Sequence, residues 1–281
     1  MRSMRIAHKR IAFKVMLILV AIVVACSIAF PVYWMFVTSV LPLGDLFNQP
    51  PALFPTTFDW SAYGQAFADG TTLTWILHSF LVASGVVVFN LVLSVPAAYS
   101  MARFKISTNS VLILMVLSTQ LIPAALFVVP LFEIFRLVNL INSYFALILA
   151  DSIITLPIST WILMGFFEGV PKEIEEVALV DGCTRYGVFF RIALPTVRPA
   201  MVTVAILVFY EAWNEYLFAL TLITKQELWL GTVGLGSFLG QFQTDWRGIM
   251  ANSILFAALP IVLYLFFRRF IVRGIAEGFS K

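Results

Sequence analysis

Six stretches of about 20 apolar residues recur along this chain, the length a helix needs to cross the hydrocarbon core of a bilayer. They run Phe13 to Val37, Trp75 to Ser100, Ser110 to Leu131, Tyr144 to Phe167, Met201 to Ile223 and Ile249 to Phe267. Backbone polar groups in hydrocarbon find no water, so each must be satisfied inside its own segment, which selects helices over open strands. The pattern therefore reads as an all-α, polytopic membrane protein with six transmembrane helices. Composition agrees: 61% of the residues are hydrophobic and 12% charged, where a soluble domain carries about 25% charged residues.

Lys and Arg mark which side of the membrane a loop faces. Arg2, Arg5, Lys9, Arg10 and Lys14 open the chain, and Arg103 and Lys105 follow the second stretch. Lys172, Arg185, Arg191 and Arg198 lie between the fourth and fifth, and Arg268, Arg269, Arg273 and Lys281 close the chain. Opposite loops hold only Arg136, Lys225 and Arg247. The rule places both termini and the segment 169–199 in the cytoplasm; the location expected is the inner or plasma membrane, with lipid around the chain. A net charge of +3 reports that orientation and gives no footprint for nucleic acid.

The organisation that follows is a cytoplasmic tail 1–12, a first span 13–37, an extracytoplasmic loop 38–74, a core 75–270 with the other spans, and a tail 271–281. The start reads as a retained anchor and not a cleaved signal, because the apolar run continues past Cys26 through Trp34 and exceeds an h-region. The loop 38–74 contains Asp45, Pro50, Pro51, Pro55, Asp59 and Asp69 but no Lys or Arg. It is either a small cap that offers a surface to an external partner or a plain linker. Of the two cysteines, Cys26 lies in a span and Cys183 in a cytoplasmic loop, so neither a disulfide nor a metal site is expected.

Between the fourth and fifth spans lies a polar island, Pro171 to Pro195. Pro171 suits a helix start, Glu173, Glu175 and Glu176 favour a helix N-terminus, and Ile174, Val177 and Ala178 recur at helical spacing. Gly182 breaks that helix. A second piece runs from about Thr184 through Phe189, Phe190 and Ile192 until Leu194-Pro195 stops it. Amphipathicity alone fits either a helix resting on lipid headgroups or a docking element whose apolar stripe needs a cover.

Spacing separates the two. Glu176-Val-Ala178, three residues, Gly182, nine residues, Ile192, one residue and Leu194-Pro195 resembles the EAA loop of ATP-binding-cassette importer permeases, with Val177 in place of the first Ala. Trp213 to Leu220, Thr232 to Phe238 with Thr244-Asp-Trp246, and Arg269 to Gly278 are similar to carbohydrate-importer permeases, in particular the smaller, six-span subunit of maltose-like systems. The resemblance implies a type I importer permease fold. It also implies a second, larger permease subunit, two ATP-binding subunits that hold ATP and Mg, and an extracytoplasmic sugar-binding protein, with no cofactor bound by this chain. Glu175, Glu176, Val177, Ala178, Asp181, Gly182, Ile192, Leu194 and Pro195 would then contact or shape the ATPase interface. A disaccharide or α-glucoside is the implied cargo; glycerol phosphate or an amino acid is the alternative within the same family.

Polar groups inside spans are costly and face a cavity or another helix. Glu211, Asn214 and Glu215 fall at i, i+3 and i+4 and so share one face of the fifth span, beside Trp213 and Tyr216. That face either lines a path for sugar or meets the partner permease. Asp151, Asn90 and Gln120 are further path candidates. Pro31, Pro96, Pro123, Pro130, Pro157 and Pro260 are expected to kink or end helices.

Several functions are disfavoured. No Gly-x4-Gly-Lys-Ser/Thr loop occurs, so ATP hydrolysis would fall to partners and the chain is expected to be a non-catalytic subunit. His8 and His78 belong to no nucleophile–base set. An ion-coupled secondary transporter, the less favoured alternative, would show internal repeats and intramembrane charge relays, and this chain lacks the repeats.

Overall fold

The structure, a computed structural model, describes residues 2–50, 52–104, 114, 117–239 and 244–278, with side chains from Phe13 to Arg268 within those ranges. Its elements are α1 (Arg2–Val40), α2 (Ser61–Ala68), α3 (Thr71–Arg103), α4 (Ala125–Leu137), α5 (Tyr144–Gly169) and α6 (Lys172–Val180). Next come α7 (Arg185–Thr196), α8 (Arg198–Asn214), α9 (Leu217–Leu222), α10 (Gly231–Ser237) and α11 (Trp246–Gly278). Among the described residues the chain is helical and no strand forms.

Among the described residues four helices are long and apolar enough to cross a membrane, in the segments Phe13–Val40, Thr71–Arg103, Tyr144–Gly169 and Trp246–Arg268. A fifth span appears if α7 and α8, bent by 71° from each other, are taken together. The sixth expected span, Ser110 to Leu131, lies partly outside the described residues. Its described part is not one helix: a 3-10 turn at Thr119–Leu121 ends in extended backbone at Ile122, and α4 begins at Ala125. The expectation for the prolines sharpens likewise. Pro31, Pro96, Pro130, Pro157 and Pro260 sit inside helices and do not end them.

The chain divides into two compact units, Met1–Gly70 with Phe238–Leu255, and Thr71–Ser237 with Phe256–Lys281. In the second unit α3 and α5 form the central pair. Asn90 meets Thr155, 65 positions later, and Arg103 meets Val170, 67 positions later. A nearly constant offset over three turns means that the two helices run parallel. Gly85 permits their approach, since a Cβ there would stand 2.5 Å from Cδ1 of Ile148; small residues serve this purpose where lipid removes the hydrophobic drive between helices. Trp213 stacks between Phe209 (5.5 Å) and Phe256 (4.5 Å). Gly231 lies under the Phe256 ring and Gly234 under Trp75, where any Cβ would collide.

In the first unit the end of α1, the following loop, α2 and the first turns of α11 are tied by polar contacts. The Tyr33 hydroxyl donates to the Leu53 carbonyl (2.7 Å), and Ser39 Oγ pairs with the Tyr63 hydroxyl (2.8 Å). Arg247, buried, reaches Asp59 Oδ2 at 2.9 Å and donates to Ser61 Oγ at 3.0 Å. The loop that carries no Lys or Arg of its own thus borrows its cation from α11.

Asp59 also accepts from the Ser61 backbone N–H at 2.9 Å. That bond first, then the Ser61 hydroxyl and the Arg247 charge, hold its carboxyl below the usual carboxylate range. The sign follows from linkage: a depressed folded pKa adds stability above the unfolded value of about 3.9, and that stability is lost as pH falls through the folded value. Wild-type protein should therefore melt above Asp59→Asn at pH 6, with the gap closing below about pH 3.9. Thermal unfolding of both proteins across that range checks it; a gap that stays constant would refute the linkage.

Candidate functional site

The island folds as two short helices joined by a tight reversal. α6 ends in a Schellman closure: the Cys183 N–H donates to the Ala178 carbonyl (2.9 Å) and the Gly182 N–H to that of Leu179 (3.1 Å), the pattern in which a left-handed residue satisfies the last carbonyls. Gly182, at φ +87°, is that residue, and glycine adopts this region without steric cost. Thr184 then caps α7, its Oγ1 accepting from the Gly187 N–H at 3.1 Å. Leu194-Pro195 does not stop this helix, as the sequence suggested. A π turn at Phe189–Ala193 precedes the proline, the helix continues to Thr196, and the chain bends at Val197 into α8.

The two faces of α6 differ. Ile174, Val177 and Val180 point outward with Tyr186 and Phe190 of α7; Val180 is 88% and Tyr186 80% exposed. Glu176, Asp181 and Gly182 are exposed beside them, while Ala178 is buried and Ile192, Leu194 and Pro195 are half-buried. Glu175, expected on the docking surface, turns inward at 6% exposure. Its Oε1 accepts from Arg103 Nε at 2.7 Å and its Oε2 from the Tyr99 hydroxyl at 2.9 Å. Arg103 also donates to the Val170 carbonyl (3.1 Å), and the Tyr99 ring packs on Phe167 and Phe189. One residue of spacing separates the two roles, because positions 174 and 177 lie on one side of the helix and 175 and 178 on the other.

The polar residues expected to line a path fall into three settings. Asn90 and Asp151 are buried between α3 and α5. Asn90 Nδ2 donates to Thr155 Oγ1 (2.9 Å), which donates to the Asp151 carbonyl (3.0 Å), while Asn90 Oδ1, Ser94 Oγ and Asp151 Oδ1 have no partner. Gln120 is exposed and donates to the Ile154 carbonyl at 2.9 Å. Glu211 and Asn214 are exposed on α8, with Asn214 Nδ2 donating to the Tyr210 carbonyl.

Glu215 does not share their face, because α8 ends at Asn214. Its carboxylate instead accepts from the N–H groups of Phe218 (2.7 Å) and Ala219 (2.9 Å) at the start of α9. Trp213, beside that face in sequence, is buried in its aromatic stack. His78 is a packing residue: its Nδ1 bonds with the Trp229 carbonyl and its ring lies against Tyr144.

Residues 94–277, from the last third of α3 almost to the end of α11, match the family described as binding-protein-dependent transport system inner membrane component. The chain belongs to this family of transport permeases. The sulfoquinovosyl glycerol transport system permease protein of Agrobacterium fabrum is 33% identical over 90% of this chain and 88% of its own length. The diacetylchitobiose uptake system permease protein of Streptomyces coelicolor is 33% identical over 93% and 95%. A trehalose/maltose transport system permease protein of Thermococcus litoralis is 30% identical over 95% and 97%.

Two solved structures share the fold. A chain of a bacterial ABC transporter involved in alginate import superposes with a TM-score of 0.75 at 18% identity, covering 96% of both chains. One of the methionine ABC transporter matches 72% of this chain and 95% of its own at a TM-score of 0.57 and 12% identity. The all-α importer-permease fold expected from the sequence is thus the fold observed, and the protein is a multi-pass membrane protein.

The ion pair between Arg103 and Glu175 was not visible in this transport permease's sequence. Arg103 merely ends an apolar run and Glu175 reads as one of three acids at a helix start. No sequence signal marked it, because Ile174, Val177 and Ala178 read as one apolar stripe with Glu175 on its charged margin.

Proposed function

We propose that this chain is one of two permease subunits of an ATP-driven importer that takes up a carbohydrate from outside the cell. The observation that carries the reading is the exposed apolar face of Ile174, Val177, Val180, Tyr186 and Phe190, mounted on a loop that is anchored from behind by Glu175. An uncovered patch of that kind marks an interaction site. On this reading the loop and both termini face the cytoplasm, an ATPase subunit covers the patch, and ATP with its Mg binds there and not on this chain. Closure of two ATPase subunits on ATP moves the docked loops, and the paired permeases alternate between outward and inward access. Binding is coupled in both directions, so a sugar-loaded external binding protein favours the ATP-bound, closed state, and ATP turnover is expected to rise with it. Carbohydrate is supported by the relatives, whose names give sulfoquinovosyl glycerol, diacetylchitobiose and trehalose/maltose as cargo.

The test is purification of the tagged chain with its copurifying subunits, reconstitution into proteoliposomes with ATP inside, and addition of the binding protein. Radiolabelled trehalose, maltose, diacetylchitobiose and methionine are then offered. ATP-dependent entry of a sugar is the expected result. Entry of methionine alone would move the cargo to amino acids, and entry driven by an ion gradient without ATP would overturn the importer reading.

A further inference from the structure

Non-helical joints stand at both ends of α6. Val170 and Pro171 are extended between α5 and α6, and Gly182 occupies the left-handed region between α6 and α7. A pull on the apolar face would deform such joints before it moved a membrane helix. What stiffens the connection is the cluster behind the face. Glu175 accepts from Arg103 and Tyr99, both on the last turns of α3, 72 and 76 residues away in sequence. The Arg103 and Glu175 side chains are only 7% and 8% accessible. Arg103 Nη2 also holds the Val170 carbonyl, at the very joint that would otherwise flex. The Tyr99 ring, gripped by Phe167 of α5 (5.4 Å) and Phe189 of α7 (4.9 Å), brings all four helices to one point.

We propose that Glu175, Arg103 and Tyr99 form a transmission clamp, in which Glu175 is a positioning residue that passes displacement of the docking loop to the parallel α3 and α5 pair and makes no contact with the ATPase itself. This rests on the docking role proposed for the loop. Physics favours rigidity here: a buried pair resists separation because either charge left alone is poorly solvated. The outward residues supply attachment and the inward ones supply leverage, so the two properties are separable by substitution.

The experiment compares wild type, Glu175→Gln, Arg103→Met, the double variant and Tyr99→Phe, each in the full reconstituted complex with whichever of trehalose, maltose or diacetylchitobiose the wild type imports. Three quantities are read: copurified ATPase, ATP turnover, and sugar moved per ATP. The expected result is full ATPase copurification with sugar per ATP lowered about tenfold in each charge variant, within the usual range of coupling energies. The double variant should be no worse than the poorer single one, since both residues act through one contact. Tyr99→Phe, which keeps the ring and removes one hydrogen bond, should show a smaller loss and covers the case in which the charge variants fail to fold. Wild-type sugar per ATP in Glu175→Gln would overturn the clamp. So would loss of ATPase from that variant, which would make Glu175 a docking residue, or losses that multiply in the double variant. A wild-type complex that carries no ATPase would sink the docking reading instead, before any variant is examined.

Discussion

Val180→Asp should strip the ATPase from the purified complex, with affinity lowered about 30-fold or more, the effect of losing an interface hot spot of about 2 kcal/mol. Val180 is the most exposed of the outward residues, in the last turn of α6 beside the Gly182 reversal. With its side chain almost wholly in solvent, the substitution has little internal packing to disturb, so insertion and folding should be unchanged. In the complex, however, the carboxylate would be buried against an apolar partner without a cation, which costs far more than the lost methyl contacts. Glu176→Lys at the neighbouring exposed position should do much less to affinity, because an exposed ion pair contributes about 0–1 kcal/mol. Val180→Leu is the matched control and should bind as wild type. Titration of immobilised permease complex with ATPase subunit gives the affinities directly, and unchanged binding by Val180→Asp would show that the patch is not the docking face.

The contrast between these neighbours shows what a sequence can and cannot display. Apolar run length found α1, α3, α5 and α11, because crossing a bilayer leaves a helix no alternative composition. The fixed spacing from Glu176 to Pro195 marked the α6–α7 reversal, since a reversal needs glycine at one position and the following helix needs its cap. Breaks inside apolar segments were not legible. The end of α8 at Asn214 carries neither glycine nor proline, only a glutamate whose carboxylate replaces the missing backbone partners. Nor were pairings across long separations: Arg103 with Glu175 and Arg247 with Asp59 depend on which segments become neighbours. Hydropathy does not encode that.

Glu215 gives the second large effect, and it turns on what the carboxylate is for. Its two oxygens accept from Phe218 and Ala219, so they cap a six-residue helix, α9, that starts within an apolar stretch. Glu215→Leu leaves two backbone N–H groups without acceptors where water is scarce, at about 1–3 kcal/mol each. The protein should lose several degrees of thermal stability in detergent and accumulate poorly in the membrane. Glu215→Gln keeps an acceptor oxygen and the side-chain length, so one of the two N–H groups stays satisfied and most of the stability should remain. Transport by that variant then decides the role. A capping residue tolerates the amide and still supports ATP-driven sugar uptake near the wild-type rate, because no negative charge is required to hold α9. A carboxylate that met cargo would fold normally as glutamine and yet show raised KM or lost uptake. The hydrogen bonds point to the first outcome, leaving Glu211 and Asn214, whose side chains stand exposed on α8, as the residues of that segment free to meet cargo or the second permease.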